Sequence, residues 1–320
     1  MLSLRPTNNP TACPIKKRRS GTLLKDLKRD IFLYLLLLLP MSYFIIFKYL
    51  PMYGVVIAFQ DFNLFQGVFH SQWIGFQCFQ EIFQMQNFYN VLRNTLVLNF
   101  LDLIFGFPAP IILALILNEL RIMWFKKVSQ TILYLPHFLS WVIIGGVAYQ
   151  IFQNDGGLIN DVIRSMGLQT IPFLTNQYCW IVVYVLVGIW QSSGWGTILY
   201  LAAIACIDSA LYEAAEVDGA SRMQRIWHIT LPGLKATAVM LLILNVGNIV
   251  NISFDRPYVM GNSVVQNVSD VISTFVYRIG LGSGRFNIAT AVGLFQSVIG
   301  VVFLLVTNFL AEKIDEQGIW

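Results

Sequence analysis

Apolar residues along this 320-residue chain fall in long blocks rather than in alternation. Six blocks reach about 20 residues, the length at which a helix crosses a hydrocarbon layer: 31–50, 94–117, 131–152, 180–204, 236–254 and 288–310. Inside them the only acidic residue is Asp102. The only basic one is Lys48, near an end where its stem can reach the interface. The pattern predicts an all-α polytopic membrane protein with six transmembrane helices. Three longer intervals separate these blocks on one side (51–93, 153–179 and 255–287) and are rich in Phe, Gln, Asn and Gly. They are large enough to fold into a cap or docking surface.

Composition supports that reading. Hydrophobic residues make up 56% and charged residues 12%, against about a quarter charged in soluble domains, and the mean hydropathy is +0.64. Such a surface suits lipid, not water, and a soluble enzyme is excluded. Net charge is +4, but its placement says more than its size. With the N-terminus inside, the inner segments hold 15 Lys and Arg and the outer ones 6, so both termini are expected in the cytoplasm. Residues 1–30 form a basic tail with Lys16-Lys17-Arg18-Arg19, Lys25, Lys28 and Arg29. No small-residue cleavage site follows Leu35–Leu39, so 31–50 is read as a retained anchor. Leu23, Leu24, Leu27 and Ile31 share a helical spacing. That leaves two readings open: an interfacial helix on anionic lipid, or a solvated tail.

Cys13, Cys78, Cys179 and Cys206 show no paired spacing, and His70, His137 and His228 lie far apart. Neither a disulfide framework nor a metal site is predicted. No GxxxxGK[ST] occurs, and Gly280-Leu281-Gly282-Ser283-Gly284-Arg285 reads as a turn in an outer loop, so the chain is not expected to cradle nucleotide phosphates. An intramembrane enzyme lacks paired carboxylates, HExxH or a Ser/His constellation in the spans.

The inner loop 205–235 is not simply polar. Asp208 or Ser209 can cap a helix start, Ala210, Leu211, Ala214 and Ala215 favour helix, and Gly219 can end it in a left-handed turn. A second short helix is expected over 221–228, and Pro232 marks the start of the next span. Here Glu213-Ala214-Ala215, Gly219, Ile229, Leu231 and Pro232 match, without a gap, the coupling motif of binding-protein-dependent ABC importer permeases. The chain is identified on this motif as resembling that family, with its shared membrane domain over about 90–310. Asn94-Thr95, Gly106-Phe107-Pro108-Ala109-Pro110, Leu117-Asn118-Glu119 and Gly293-Leu294-Phe295-Gln296-Ser297 resemble the complex-saccharide branch, close to polysaccharide and alginate-oligosaccharide permeases.

The resemblance implies the type I importer fold, divided as tail 1–30, first helix 31–50, outer loop 51–89, permease core 90–310 and C-terminus 311–320. It implies no cofactor in this chain, with ATP and magnesium on a partner ATPase. Glu213 would pair with an arginine of that ATPase, and Asp218 and Gly219 would form the turn that fits its groove. Partners implied are a second homologous permease, two ATPase subunits, an extracellular solute-binding protein and an oligosaccharide substrate, in the plasma membrane of a bacterial cell.

A substrate path is read from the fifth span, where Asn245, Asn248 and Asn251 stand three residues apart. As one helical stripe they either bond neighbouring helices or line a path. By resemblance to the larger permease of the maltose importer, they and Ser192 and Trp195 on the fourth span would meet sugar, on this subunit or on its partner permease. Asp102 is expected to bond a neighbouring helix or to line the cavity. Trp141, Trp180 and Trp190 are given no functional role. The alternatives are an importer of the same fold for a non-sugar solute such as an amino acid, a peptide or phosphate, and a secondary transporter or channel without an ATPase.

Overall fold

The computed structural model describes residues 30–313, with side chains through Phe309. The basic tail, both readings of its helix, Cys13 and the residues after 313 lie outside the described residues. The chain divides into two units, Met1–Tyr53 and Gly54–Trp320. The described part of the first is one helix, α1 (Ile31–Phe44), continued by a π-turn at Ile45–Tyr49 and a last turn at Leu50–Met52. None of these residues is buried, and Pro40 sits within α1. A side-chain set that is apolar on every face is what lipid contact requires.

In the second unit a 3-10 helix ending at Phe59 leads into a small antiparallel ribbon, β1 (Gln60–Asp61) and β2 (Gln72–Trp73), in the register Gln60↔Trp73 and Asp61↔Gln72. Helix α2 (Gln77–Gln84) follows and buries Cys78 and Ile82, one turn apart. The next span is α3 (Gln86–Leu101) and α4 (Pro108–Glu119) joined by a π-turn at Asp102–Gly106. Asn94 and Thr95, which stand at the start of the expected span, lie in mid-helix and are buried. Asn94 Nδ2 donates to the carbonyls of Asn267 (2.8 Å) and Asp270 (3.0 Å), and Thr95 Oγ1 accepts from Ile272 N at 3.0 Å.

The third expected span is broken. Helix α5 (Met123–Tyr134) runs into a 3-10 turn at Leu135–Phe138, and α6 (Trp141–Phe152) leaves at an angle of 104°. Two local causes account for the break. Pro136 brings no N–H, and Leu139 and Ser140 are extended so that Ser140 Oγ can cap α6 by accepting from Ile143 N at 3.4 Å. Among the described residues five helices are individually long and apolar enough to cross a membrane, and six are reached when the bent pair is counted as one span.

Helix α7 (Gln177–Ala205), 29 residues long, is capped by Asn176, whose Oδ1 accepts from Tyr178 N and Cys179 N. It forms the centre of the unit: Trp180 and Tyr184 are fully buried beside Ile144 and Met260, and Tyr200 and Ile204 pack with Ala114 and Leu234. Trp180 Nε1 donates to Met260 O at 2.8 Å, which explains its burial. Helix α8 (Ser209–Val217) lies in the loop expected there, and α9 (Leu231–Gly247) continues from Arg222 through a π-turn at Ile226–Thr230.

The fifth expected span is also corrected. Helix α9 stops at Gly247, not at 254. Asn248 takes a non-helical φ of −95° and ψ of 10°, and its Nδ2 turns back to Leu244 O at 2.9 Å. An amide that bonds the preceding turn competes with helix continuation. Helix α10 (Asp255–Met260) then packs on α6, and α11 (Phe286–Lys313) closes the unit against α9.

Candidate functional site

The loop between α7 and α9 is built from local hydrogen bonds. Asp208 Oδ1 accepts from Ala210 N at 2.9 Å, capping α8. At the other end Gly219 N donates to Glu216 O (3.1 Å) and Ala220 N to Ala215 O (2.8 Å). This paired closure needs a left-handed residue at 219, and Gly219 has φ +74°. Ser221 and Gln224 then cap the next turn reciprocally, at 3.4 and 2.7 Å. Tyr212 OH lies 3.0 Å from the buried Thr230 Oγ1, which ties α8 to the base of α9. Ile229 and Leu231 are half-buried and Pro232 is exposed on that base.

The face left over is small and acidic. Glu213, Ala214, Asp218 and Gly219 are exposed and Ala215 is half-buried. Glu216 pairs with Arg225 at 3.3 Å, whereas Glu213 has no ion pair among the described residues. A short helix with a free carboxylate, two methyl side chains and a glycine corner can enter a groove closely and offer one charge.

The second locus is a cavity of about 380 Å³ between α3, α4, α7 and α9. Ser192, Asn245, Asn248 and Asn251 all line it, although the three amides are not one helical stripe: Asn245 is on α9, Asn248 ends it, and Asn251 lies beyond it. Their N–H and O–H groups are mostly spent on backbone. Ser192 Oγ donates to Gly188 O (2.8 Å), Asn245 Nδ2 to Leu241 O (2.7 Å) and Asn248 Nδ2 to Leu244 O. Asn251 Oδ1 accepts from Gln296 Nε2 at 2.9 Å. The side-chain Oδ1 atoms of Asn245 and Asn248 are left to accept, which is the chemistry that answers hydroxyl groups. Trp195 is not brought to this group. Its ring stacks on His137, 4.7 Å away and 6° from parallel, against the 3-10 turn at the break of the third span.

Asp102 does both things expected of it: it lines the cavity and bonds another element. Its partner is Arg256 on α10, with Nη1 to Oδ2 at 2.7 Å and Nη2 to Oδ1 at 3.2 Å. The guanidinium also donates to Tyr184 O at 2.5 Å and lies 3.7 Å over the Tyr184 ring and 5.4 Å over Trp141. Both line the cavity, Arg256 at 11% exposure and Asp102 at 28%, so the carboxylate is the more open of the two. Gly188 makes room for this cluster, because a Cβ there would fall inside contact distance of Cζ, Nη1 and Nη2. Sequence reading missed Arg256 and Asn99, which also lines the cavity. Arg256 sits in a polar interval and carries no hydropathy signal, whereas Asn99 could have been found as the neighbour of Asp102 one turn earlier.

Comparisons place the chain among known proteins. The family described as binding-protein-dependent transport system inner membrane component matches residues 82–316. The chain is similar to Protein LplB of Bacillus subtilis (strain 168), 46% identical over 294 residues and 92% of each chain. It is similar, too, to the Polygalacturonan/rhamnogalacturonan transport system permease protein YteP of that organism, 45% identical over 305 residues and 95% of each. One solved structure it resembles is a bacterial ABC transporter involved in the import of the acidic polysaccharide alginate. The TM-score is 0.83 at 40% identity, over 91% of this chain and 98% of that one. A bacterial alginate ABC transporter in complex with an alginate pentasaccharide-bound periplasmic protein gives 0.84 at 39%, over 93% and 99%.

Proposed function

From the premise that this chain belongs to the binding-protein-dependent transport system inner membrane components, with the type I ABC importer permease fold, we propose that it passes oligosaccharides or polysaccharide fragments across a bacterial plasma membrane. An extracellular binding protein delivers the sugar, and a second homologous permease and two ATPase subunits complete the importer. ATP and magnesium belong to the ATPase. Both termini are cytoplasmic, which puts α8 at the inner face and the β1–β2 ribbon outside.

The observation that carries this reading is α8 itself, with Glu213 unpaired and the Gly219 corner exposed beside it. Closure of the ATPase dimer pulls on this helix, and Tyr212–Thr230 passes the movement to α9, whose far end carries Asn245 and Asn248 at the cavity. The amide oxygens there accept sugar hydroxyls as the path alternates between its two faces. Ion-gradient coupling is the weaker reading, because Asp102, the one carboxylate at the cavity, already has its charge matched by Arg256. Glu213→Ala tests the proposal. Uptake of a labelled oligosaccharide and co-purification of the ATPase should fall together while the chain stays in the membrane; normal uptake and normal ATPase association would refute it.

A further inference from the structure

A second pocket, of about 650 Å³, opens between the turn after α4, the start of α5 and the α8 loop. Four basic side chains line it: Arg121, Lys126, Arg222 and Arg225. Glu119 is the one acid in the lining, and Arg225 is already paired with Glu216. Arg121, Lys126 and Arg222 have no ion pair among the described residues, so the pocket carries surplus positive charge. Next to it, Ile122, Met123 and Trp124 are exposed at 68%, 65% and 72%. A concave basic seat adjoining a bare apolar strip is the shape of an amphiphile with an anionic head.

We propose that this pocket seats the phosphate headgroup of an anionic phospholipid of the cytoplasmic leaflet, with its acyl chains along Ile122, Met123 and Trp124. The placement rests on the orientation given under the proposed function. The head would touch Arg121 from the turn after α4, Lys126 from the first turn of α5 and Arg222 from the segment that follows α8, and so brace the coupling loop against the end of α4. Each basic side chain near an anionic leaflet is worth about fivefold in binding, so removing three weakens retention about a hundredfold.

The test uses the purified complex of this chain with its co-expressed partners, in nanodiscs of phosphatidylcholine with or without phosphatidylglycerol, read by native mass spectrometry. The wild type should retain phosphatidylglycerol in preference to phosphatidylcholine. The triple variant Arg121→Gln, Lys126→Gln, Arg222→Gln should lose that preference, and Lys126→Arg should keep it. Inorganic phosphate at millimolar concentration should not displace the lipid; displacement would mean a site for free phosphate and would overturn the proposal. Equal retention by wild type and triple variant would overturn it too. So would cross-linking of a cysteine at 126 to the ATPase with no lipid retained. If the triple variant fails to assemble, Lys126→Gln in the isolated chain gives the same reading through spin-labelled phosphatidylglycerol, with about fivefold weaker association expected. Lipid retention does not depend on transport, so failure of the transport reading and failure of the lipid site are separable.

Discussion

Replacing Gly188 by Ala should destabilise this protein even though the substitution favours helix. Gly188 is in the interior of α7, where alanine is better than glycine by about 1 kcal/mol. Against that gain stands the guanidinium of Arg256, which occupies the space a Cβ would take. Its position is fixed by two bonds to Asp102, one to Tyr184 O and the face of the Tyr184 ring, so it cannot move without losing them. Breaking a buried ion pair costs about 3–5 kcal/mol; with Asp102 28% exposed, the lower end applies. The net expectation for Gly188→Ala is a loss of about 2 kcal/mol. Arg256→Met, which leaves Asp102 unpaired, should cost about 3 kcal/mol. Because the clash exists only while the guanidinium is there, the double variant should cost about 2 kcal/mol rather than about 5. Unfolding of the purified protein by increasing SDS in mixed micelles, followed by tryptophan fluorescence, measures all four states. Additive losses, or a Gly188→Ala protein at least as stable as wild type, would refute the role given to this cluster.

Gly219→Val should uncouple transport with the chain still in the membrane, since few residues with a side chain hold φ +74°; uptake and ATPase co-purification measure it. Cysteines at Val162 and Ser263, both exposed, should label from outside the cell, and one at Glu216 only after permeabilisation; external labelling at 216 would invert the topology. Asn248→Leu should lower sugar transport with assembly and basal ATP hydrolysis near normal, whereas Trp195→Ala should lower stability by about 0.5–1.5 kcal/mol through loss of the His137 stack. Burial, assisted by Glu81 and Asp61, pushes the Cys78 thiol up from its ordinary value. A maleimide at neutral pH should therefore reach the exposed Cys206 and spare Cys78, whose rate should rise as the pH is raised.

Much of this molecule is legible in its sequence because hydropathy and local hydrogen bonding are properties of neighbours. Asp208, Gly219 and Ser221 fix the α8 loop through partners no more than five residues away, so residue types in order are enough to read it. The failures share a different cause. A window of apolar residues averages across Pro136 and cannot register a turn of 104°. The Asn245, Asn248 and Asn251 spacing reads as one helical face only if the helix continues, and the Asn248 side chain itself helps to end it. Arg256 meets Asp102 across 154 residues, in an interval whose polarity suggested only solvent. Trp195 stands near Ser192 in sequence, yet a broken neighbouring helix supplies it with an imidazole instead of a place at the cavity.

The π-turn at Asp102–Gly106 sets an angular phase. A π-turn holds one residue more than an α-turn, and one residue is about 100° of rotation. Helices α3 and α4 are therefore two cylinders on nearly one axis whose contact faces are set independently, one turning Leu98 and Asn99 toward the unit's interior and the other Ala114 and Leu117. Tightening this turn to continuous α-helix with every residue kept would swing α4 by about 100°. Ala114 would leave its place beside Tyr200 and Leu234, and Leu117 its buried position, while hydropathy and residue order stayed unchanged.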